Sequence, residues 1–195
     1  MVDIERTLVV GLGNPGKRYA RTRHNVGQEA VELLAERCGS RLKVGKQHAQ
    51  IAETSLAGTS VVLAVPTTYM NDSGEAVGPL CKKYKIDDLA RLIVVHDELD
   101  LEPGALRVKV GGGLAGHNGL RSISAHLKSD DYVRVRIGVG KPRSKEVGAD
   151  HVLSRIPAAE RQLLDECVVR AADAVEAILR DGTLAAMTAY NAKPA

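Results

Sequence analysis

The chain of 195 residues contains no Trp, no Phe and only five Tyr. Its core is therefore left to Val, Leu, Ile and Ala. The same scarcity argues against a surface whose main task is stacking unpaired bases, because aromatic platforms do that work. Cysteine is sparse as well: Cys38, Cys81 and Cys167 stand far apart and form no C-x-x-C pair. That excludes a zinc framework of this kind and reads as reduced thiols in a cytoplasmic protein. No apolar run approaches the roughly eighteen residues of a membrane span. The opening "MVDIERTLVV" carries acidic residues where a signal peptide is basic. A P-loop ending, a G-x-S-x-G elbow and an H-E-x-x-H pair are all missing, which removes the best-marked phosphate, nucleophilic-serine and zinc-hydrolase chemistries. A site without metal or cofactor is expected.

What is present is an uneven charge. The formal net charge is +3, yet residues 103 to 155 hold ten Lys/Arg against four Asp/Glu. Such a segment can steer a polyanion, or it is simply a solvated face. Strand-like runs occupy 7–10, 49–56, 60–65, 91–96, 105–110 and 132–139. The runs 60–65 and 92–95 are almost wholly apolar, as in interior strands covered on both faces. In 105–110 and 132–139 apolar residues alternate with Arg or Lys, so one face is exposed or turned to a polar partner. Helical spacing predicts helices over 25–39, with Gly39 as C-cap, 73–84, with Ser73 as cap, 117–127 and 157–182, the last with an apolar stripe that begins at Leu163. A further short helix and a ragged tail end the chain. Strands alternating with helices predict an α/β fold over residues 1–195: one domain, a mixed twisted sheet, and helices packed on both faces in three layers.

Three glycine-rich turns stand out. "GLGNPG" (11–16) matches the glycine spacing of a dinucleotide turn, but Pro15 disfavours helical geometry at Asn14 and the next helix begins only near Asn25. A rigid loop that aims Asn14 is the better reading, with a plain turn as the alternative. "VPTTYMNDSG" (65–74) delivers Asn71 just before a helix, beside Tyr69 and Met70. "VGGGLAGHNG" (110–119) ends in His117-Asn118 at a helix head, between Lys109 and Arg121. Flexible backbone, helix-end N–H groups and positive charge suit a phosphate-bearing ligand, and a mobile surface lid is the competing reading.

For acid–base work, "LIVVHDELD" places Asp97 and Glu98 at the end of a central strand, where open α/β sheets carry ligands. A carboxylate there can fix the tautomer of a histidine and leave its other nitrogen as a base near neutral pH. The sequence does not select the partner among six His. His24 follows the first glycine loop, whereas His96, as the strand neighbour of Asp97, should face the other way. Without a nucleophile motif, deprotonating water is the simplest task for such a pair, with asparagine amides to hold water and oxyanion.

Taken together, "GLGNPGKRYARTRHNVG", "PTTYMNDSG", "VVHDELDLEPGALRVKVGGGLAGHNGLRSI" and "VRVRIGVGKP" resemble the bacterial peptidyl-tRNA hydrolase family, from about residue 6 to the last helix. The resemblance implies a monomeric, metal-independent α/β enzyme without an obligate protein partner. It would cleave the ester between a peptide, or an N-blocked aminoacyl group, and the terminal ribose of tRNA. It further implies His24 as base, oriented by Asp97, and Asn14 near the scissile ester. Asn71 would serve the peptide backbone or the carbonyl, and Asn118 the attacking water. Tyr19, Tyr69, Met70 and His117 would line the substrate groove. Lys109 and Arg136 would meet tRNA phosphate, with Arg107 and Arg134 as weaker candidates. Ala115 stands where the family commonly has glycine, and "KSDDYV" is more acidic than expected. The rival from another class is a noncatalytic RNA-binding protein, which the basic segment alone would support.

Overall fold

The computed structural model describes residues 4–144 and 147–192; the expected tail at 193–195 lies outside them. Seven strands, β1 (Thr7–Gly11), β2 (Lys43–Val44), β3 (Ala49–Leu56), β4 (Thr59–Pro66), β5 (Leu92–Glu98), β6 (Leu106–Val110) and β7 (Val133–Gly138), form one sheet in the order β2-β3-β4-β1-β5-β7-β6. The four central strands, β4, β1, β5 and β7, run parallel, while β2, β3 and β6 join antiparallel. The sheet is therefore mixed, as expected.

Among the described residues six helices cover it: α1 (Val26–Arg37), α2 (Gly74–Lys83), α3 (Asn118–Leu127), α4 (Gly148–Leu153), α5 (Ala158–Asp181) and α6 (Thr183–Asn191). Strand alternation divides the apolar side chains into two cores. Val9, Leu63, Ile93, Val95 and Val135 pack against α1 and α5, and Leu8, Val10, Val62, Leu92 and Val94 pack against α2 and α3. Each such side chain contributes about 1.5–3 kcal/mol on burial, and both faces of the interior strands are used. That is the physical content of three layers.

The local chemistry agrees with most expectations and corrects a few. Gly39 (φ +61°) ends α1, with its N–H donating to Glu36 and that of Ser40 to Ala35, which satisfies the last carbonyls. Ser73 does not cap α2: its hydroxyl donates back to the Met70 carbonyl at 2.7 Å, and the Gly74 N–H is taken by Ser122 Oγ. Leu163, expected in the buried stripe of α5, is exposed. At the far edge of the sheet, the Asn191 side chain accepts from the Val108 N–H at 2.7 Å and donates to its carbonyl at 2.8 Å, standing in for a further strand. Among the described residues no helix is long and apolar enough to cross a membrane.

Candidate active site

Strand β5 runs two residues beyond the expected 91–96, so Asp97 and Glu98 belong to it. Alternation sends Leu92 and Val94 towards the α2–α3 layer and Ile93 and Val95 towards α1 and α5. Asp97 follows the second series. The start of α1 lies directly on this strand end. A Cβ on Gly27 would sit 2.1 Å from the Val95 carbonyl oxygen, so only glycine allows the approach. The single 3-10 turn Arg23–Asn25 ahead of α1 is thereby set beside Asp97. His24 Nδ1 comes to 2.8 Å from Asp97 Oδ2.

The second carboxylate oxygen is taken too. His117 Nε2 lies 2.8 Å from Asp97 Oδ1, while His117 Nδ1 accepts from the N–H groups of Gly119 and Leu120 at the head of α3. An accepting Nδ1 carries no proton, so the proton sits on Nε2 and points at Asp97. His117 thus joins a helix cap to a carboxylate through its two ring nitrogens, while its ring borders the cleft beside His24. Behind it, the buried His96 donates from Nδ1 to the Asp97 carbonyl at 2.7 Å, and its ring meets His117 edge-on at 5.0 Å. Burial, with His117 and Arg136 nearby, pushes His96 down to about 3, which keeps it neutral.

Burial works against charge on both members of the central pair. For Asp97, the two histidines more than offset it and hold the carboxyl well below the usual carboxylate range. For His24, the charge and hydrogen bond of Asp97 outweigh burial and raise the ring above its ordinary 6.5. His24, Asp97 and His117 bring donor atoms within 4.8 Å of one another, a grouping that a metal could also use and that no sequence spacing reveals. The 2.8 Å N···O contacts are those of ring N–H groups donating to a carboxylate.

Asn14 is fixed by its surroundings. Its backbone N–H donates to Asn25 Oδ1 at 2.8 Å, and its carbonyl accepts from Asn25 Nδ2 at 2.9 Å. Its own Oδ1 accepts from the Met70 N–H at 2.7 Å. A donor on that side assigns the amide orientation and leaves Nδ2 as the group with hydrogens to offer. Asn25, at the expected start of a helix, is the N-cap residue of α1, and its side chain latches the "GLGNPG" loop.

Two cavities meet at His24. A smaller one, about 180 Å³, is bordered by Asp97, Gly116, His117 and Asn118. A larger one, about 310 Å³, is bordered by Asn14, Tyr19, Tyr69, Met70, Asn71 and Asn118. Ala149 and Val152 of α4 wall both. The rings of Tyr19 and Tyr69 meet edge to face at 6.4 Å. Asn71 and Asn118 are exposed and form no side-chain hydrogen bond among the described residues. A further cavity, about 480 Å³, lies elsewhere, between α1 and α5. It holds none of this chemistry.

The family model described as peptidyl-tRNA hydrolase matches residues 8–195. The chain belongs to the peptidyl-tRNA hydrolase family. It is 49% identical over 184 residues to the peptidyl-tRNA hydrolase of Chloroflexus aurantiacus, covering 94% of this chain and 98% of that one. It is 52% identical over 185 residues to that of Frankia alni, covering 95% and 93%. The crystal structure of peptidyl-tRNA hydrolase from Acinetobacter baumannii superposes with a TM-score of 0.92 at 43% identity, covering 100% of both chains.

In this peptidyl-tRNA hydrolase fold the expected phosphate contacts separate into two kinds. Cross-strand register pairs Arg107 with Arg136 and Lys109 with Arg134, so four cations share one face of the β6–β7 ribbon. Arg134 is buried. It stacks on Tyr132 and donates to the carbonyls of Gly112, Gly113 and Asp130. It anchors the glycine loop and is not placed to meet a phosphate, which corrects its expected role. Arg136 donates to Glu98 at 3.2 Å, and Arg107 to the Leu106 carbonyl. Lys109 has no ion pair among the described residues, and its amino group hangs over Gly112, where a Cβ would lie 2.6 Å away. Ala115 in the same loop adopts φ +49°, a conformation that glycine takes without strain. Sequence reading gave no role to Asn25 and Arg23, although both lie in the first quoted motif, and it missed the α4 wall, which lies in none.

Proposed function

We propose that this family member hydrolyses peptidyl-tRNA by attack of a water molecule deprotonated at His24. The observation that carries the reading is the 2.8 Å His24 Nδ1–Asp97 contact at the junction of the two cavities. Nδ1–H is held by the carboxylate, so Nε2 is the base. Water, placed by Asn118, loses a proton to Nε2 as its oxygen bonds to the ester carbonyl carbon. The amide of Asn14, already locked in orientation, donates to the developing oxyanion without reorganising. The acyl C–O bond then breaks, and the ribose oxygen takes the proton back from His24. Asn71 hydrogen-bonds the peptide backbone, which favours an acylated amine over a free one. Lys109 and Arg136 meet phosphate of the tRNA.

The reaction uses no cofactor and no metal, and the chain acts as a monomer without an obligate partner. The substrate, tRNA stranded with an unfinished peptide, places the work in the cytoplasm. Hydrolysis of an N-blocked aminoacyl-tRNA with chelator present tests the reading. The wild type should turn over, and His24→Ala should lose about 10²- to 10⁴-fold in rate. Near-normal turnover of the variant would refute His24 as base. Binding of tRNA without cleavage by the wild type would return the chain to the noncatalytic RNA-binding reading.

A further inference from the structure

Arg23 precedes the base in the chain, yet its guanidinium points away from the catalytic pair and is almost wholly buried. Nε and Nη2 donate to the two oxygens of Glu160 on α5 at 2.8 and 2.9 Å. Nη1 donates to the His151 carbonyl at 3.0 Å and to Ser154 Oγ at 2.9 Å, at the end of α4. Thr22, one residue earlier, forms an isolated β-bridge with Arg155. Ala149, Val152 and Leu153 of this same α4 wall the larger cavity. One residue thus ties the wall of the cleft to the turn that carries its base. The planar guanidinium makes all four of these bonds at once, the paired bonds to Glu160 included, which is one more than the three donors of an ammonium can supply.

From this we infer that Arg23 is a positioning residue that sets the width of the larger cavity by fixing α4 against the His24 turn. The inference rests on the ester hydrolysis proposed above. Because His24 has its own bond to Asp97, loss of the clamp should loosen the wall and spare the base.

Glu160→Gln, Arg23→Lys and the double variant would be compared with the wild type. The readouts are steady-state hydrolysis of an N-blocked aminoacyl-tRNA across pH and amide hydrogen exchange. Each single variant should raise KM about tenfold, the scale of losing a charge-assisted hydrogen bond. Turnover should stay within about twofold, with the acidic limb of the pH profile unmoved. Exchange should quicken across 148–153 and not in β5. The double variant should be no worse than the worse single, since both break one contact. Unchanged KM and exchange would overturn the inference, and so would a fall in kcat with a displaced acidic limb. If Arg23→Lys does not fold, Glu160→Gln decides alone. A wild type without turnover would refute the proposed function instead, while exchange would still report whether the clamp holds α4.

Discussion

The floor and the rim of the cleft are built on opposite rules. On the floor, Asp97 accepts from two rings, His117 uses both nitrogens, and Asn14 is bonded at its N–H, its carbonyl and its amide oxygen. At the rim, Asn71, Asn118 and Tyr69 are exposed, and Lys109 has no ion pair among the described residues. Groups that stabilise charge in a transition state gain from being fixed before the reaction begins. Groups that must exchange water for a variable ligand gain from being unbonded until it arrives. Each substitution should therefore show its place in a different observable.

The largest effect is expected at the floor. Asp97→Asn replaces one acceptor by a donor facing a ring N–H, so turnover should fall on the order of 10³- to 10⁴-fold, as when a triad carboxylate is amidated. The same change removes the charge that raises His24. Wild-type rate should climb with pH through a value above 6.5, where His24 becomes neutral, and the residual activity of the variant should climb at lower pH. A limb that does not move would detach Asp97 from the base. Next, Asn14→Ala should lower kcat about 10²- to 10³-fold. It should also destabilise the fold by about 1–3 kcal/mol in denaturant titration, because the Met70 N–H is left buried without a partner. Loss of rate at unchanged stability would place Asn14 on the rim.

Rim substitutions should be milder and of a different kind. Asn71→Ala should raise KM about tenfold for a peptidyl substrate and leave unfolding within about 0.5 kcal/mol of the wild type. A large fall in kcat would move it to the floor. Smallest of all, Lys109→Ala should reduce the dependence of log affinity on log salt by about one unit for tRNA. An unchanged slope would show that this amino group meets no phosphate.

Much of the frame was legible in the sequence, because apolar runs such as 60–65 and 92–95 admit few environments. The meeting of His24 with Asp97 followed only from the family resemblance, since no spacing in the chain selects that histidine. It depends on the absence of a side chain at Gly27, three residues past the base, opposite a strand nearly seventy residues away in sequence. Arg134 misled for a related reason. Alternation correctly put it on a polar face of β7, but glycine carbonyls rather than solvent cover that face at its position. Two short elements, β2 and α4, were missed; they are two and six residues long, too short for a periodicity to register. Ser73 carries the right chemistry for a cap but bends its hydroxyl back to Met70.

The Asn191 amide on Val108 has a consequence far from the chemistry. It occupies the N–H and carbonyl of an outer strand that would otherwise invite another chain to add to it. A molecule clipped just ahead of that asparagine would keep its base, carboxylate and loops. It would also carry an open seam, and its first defect would be the company it keeps in concentrated solution.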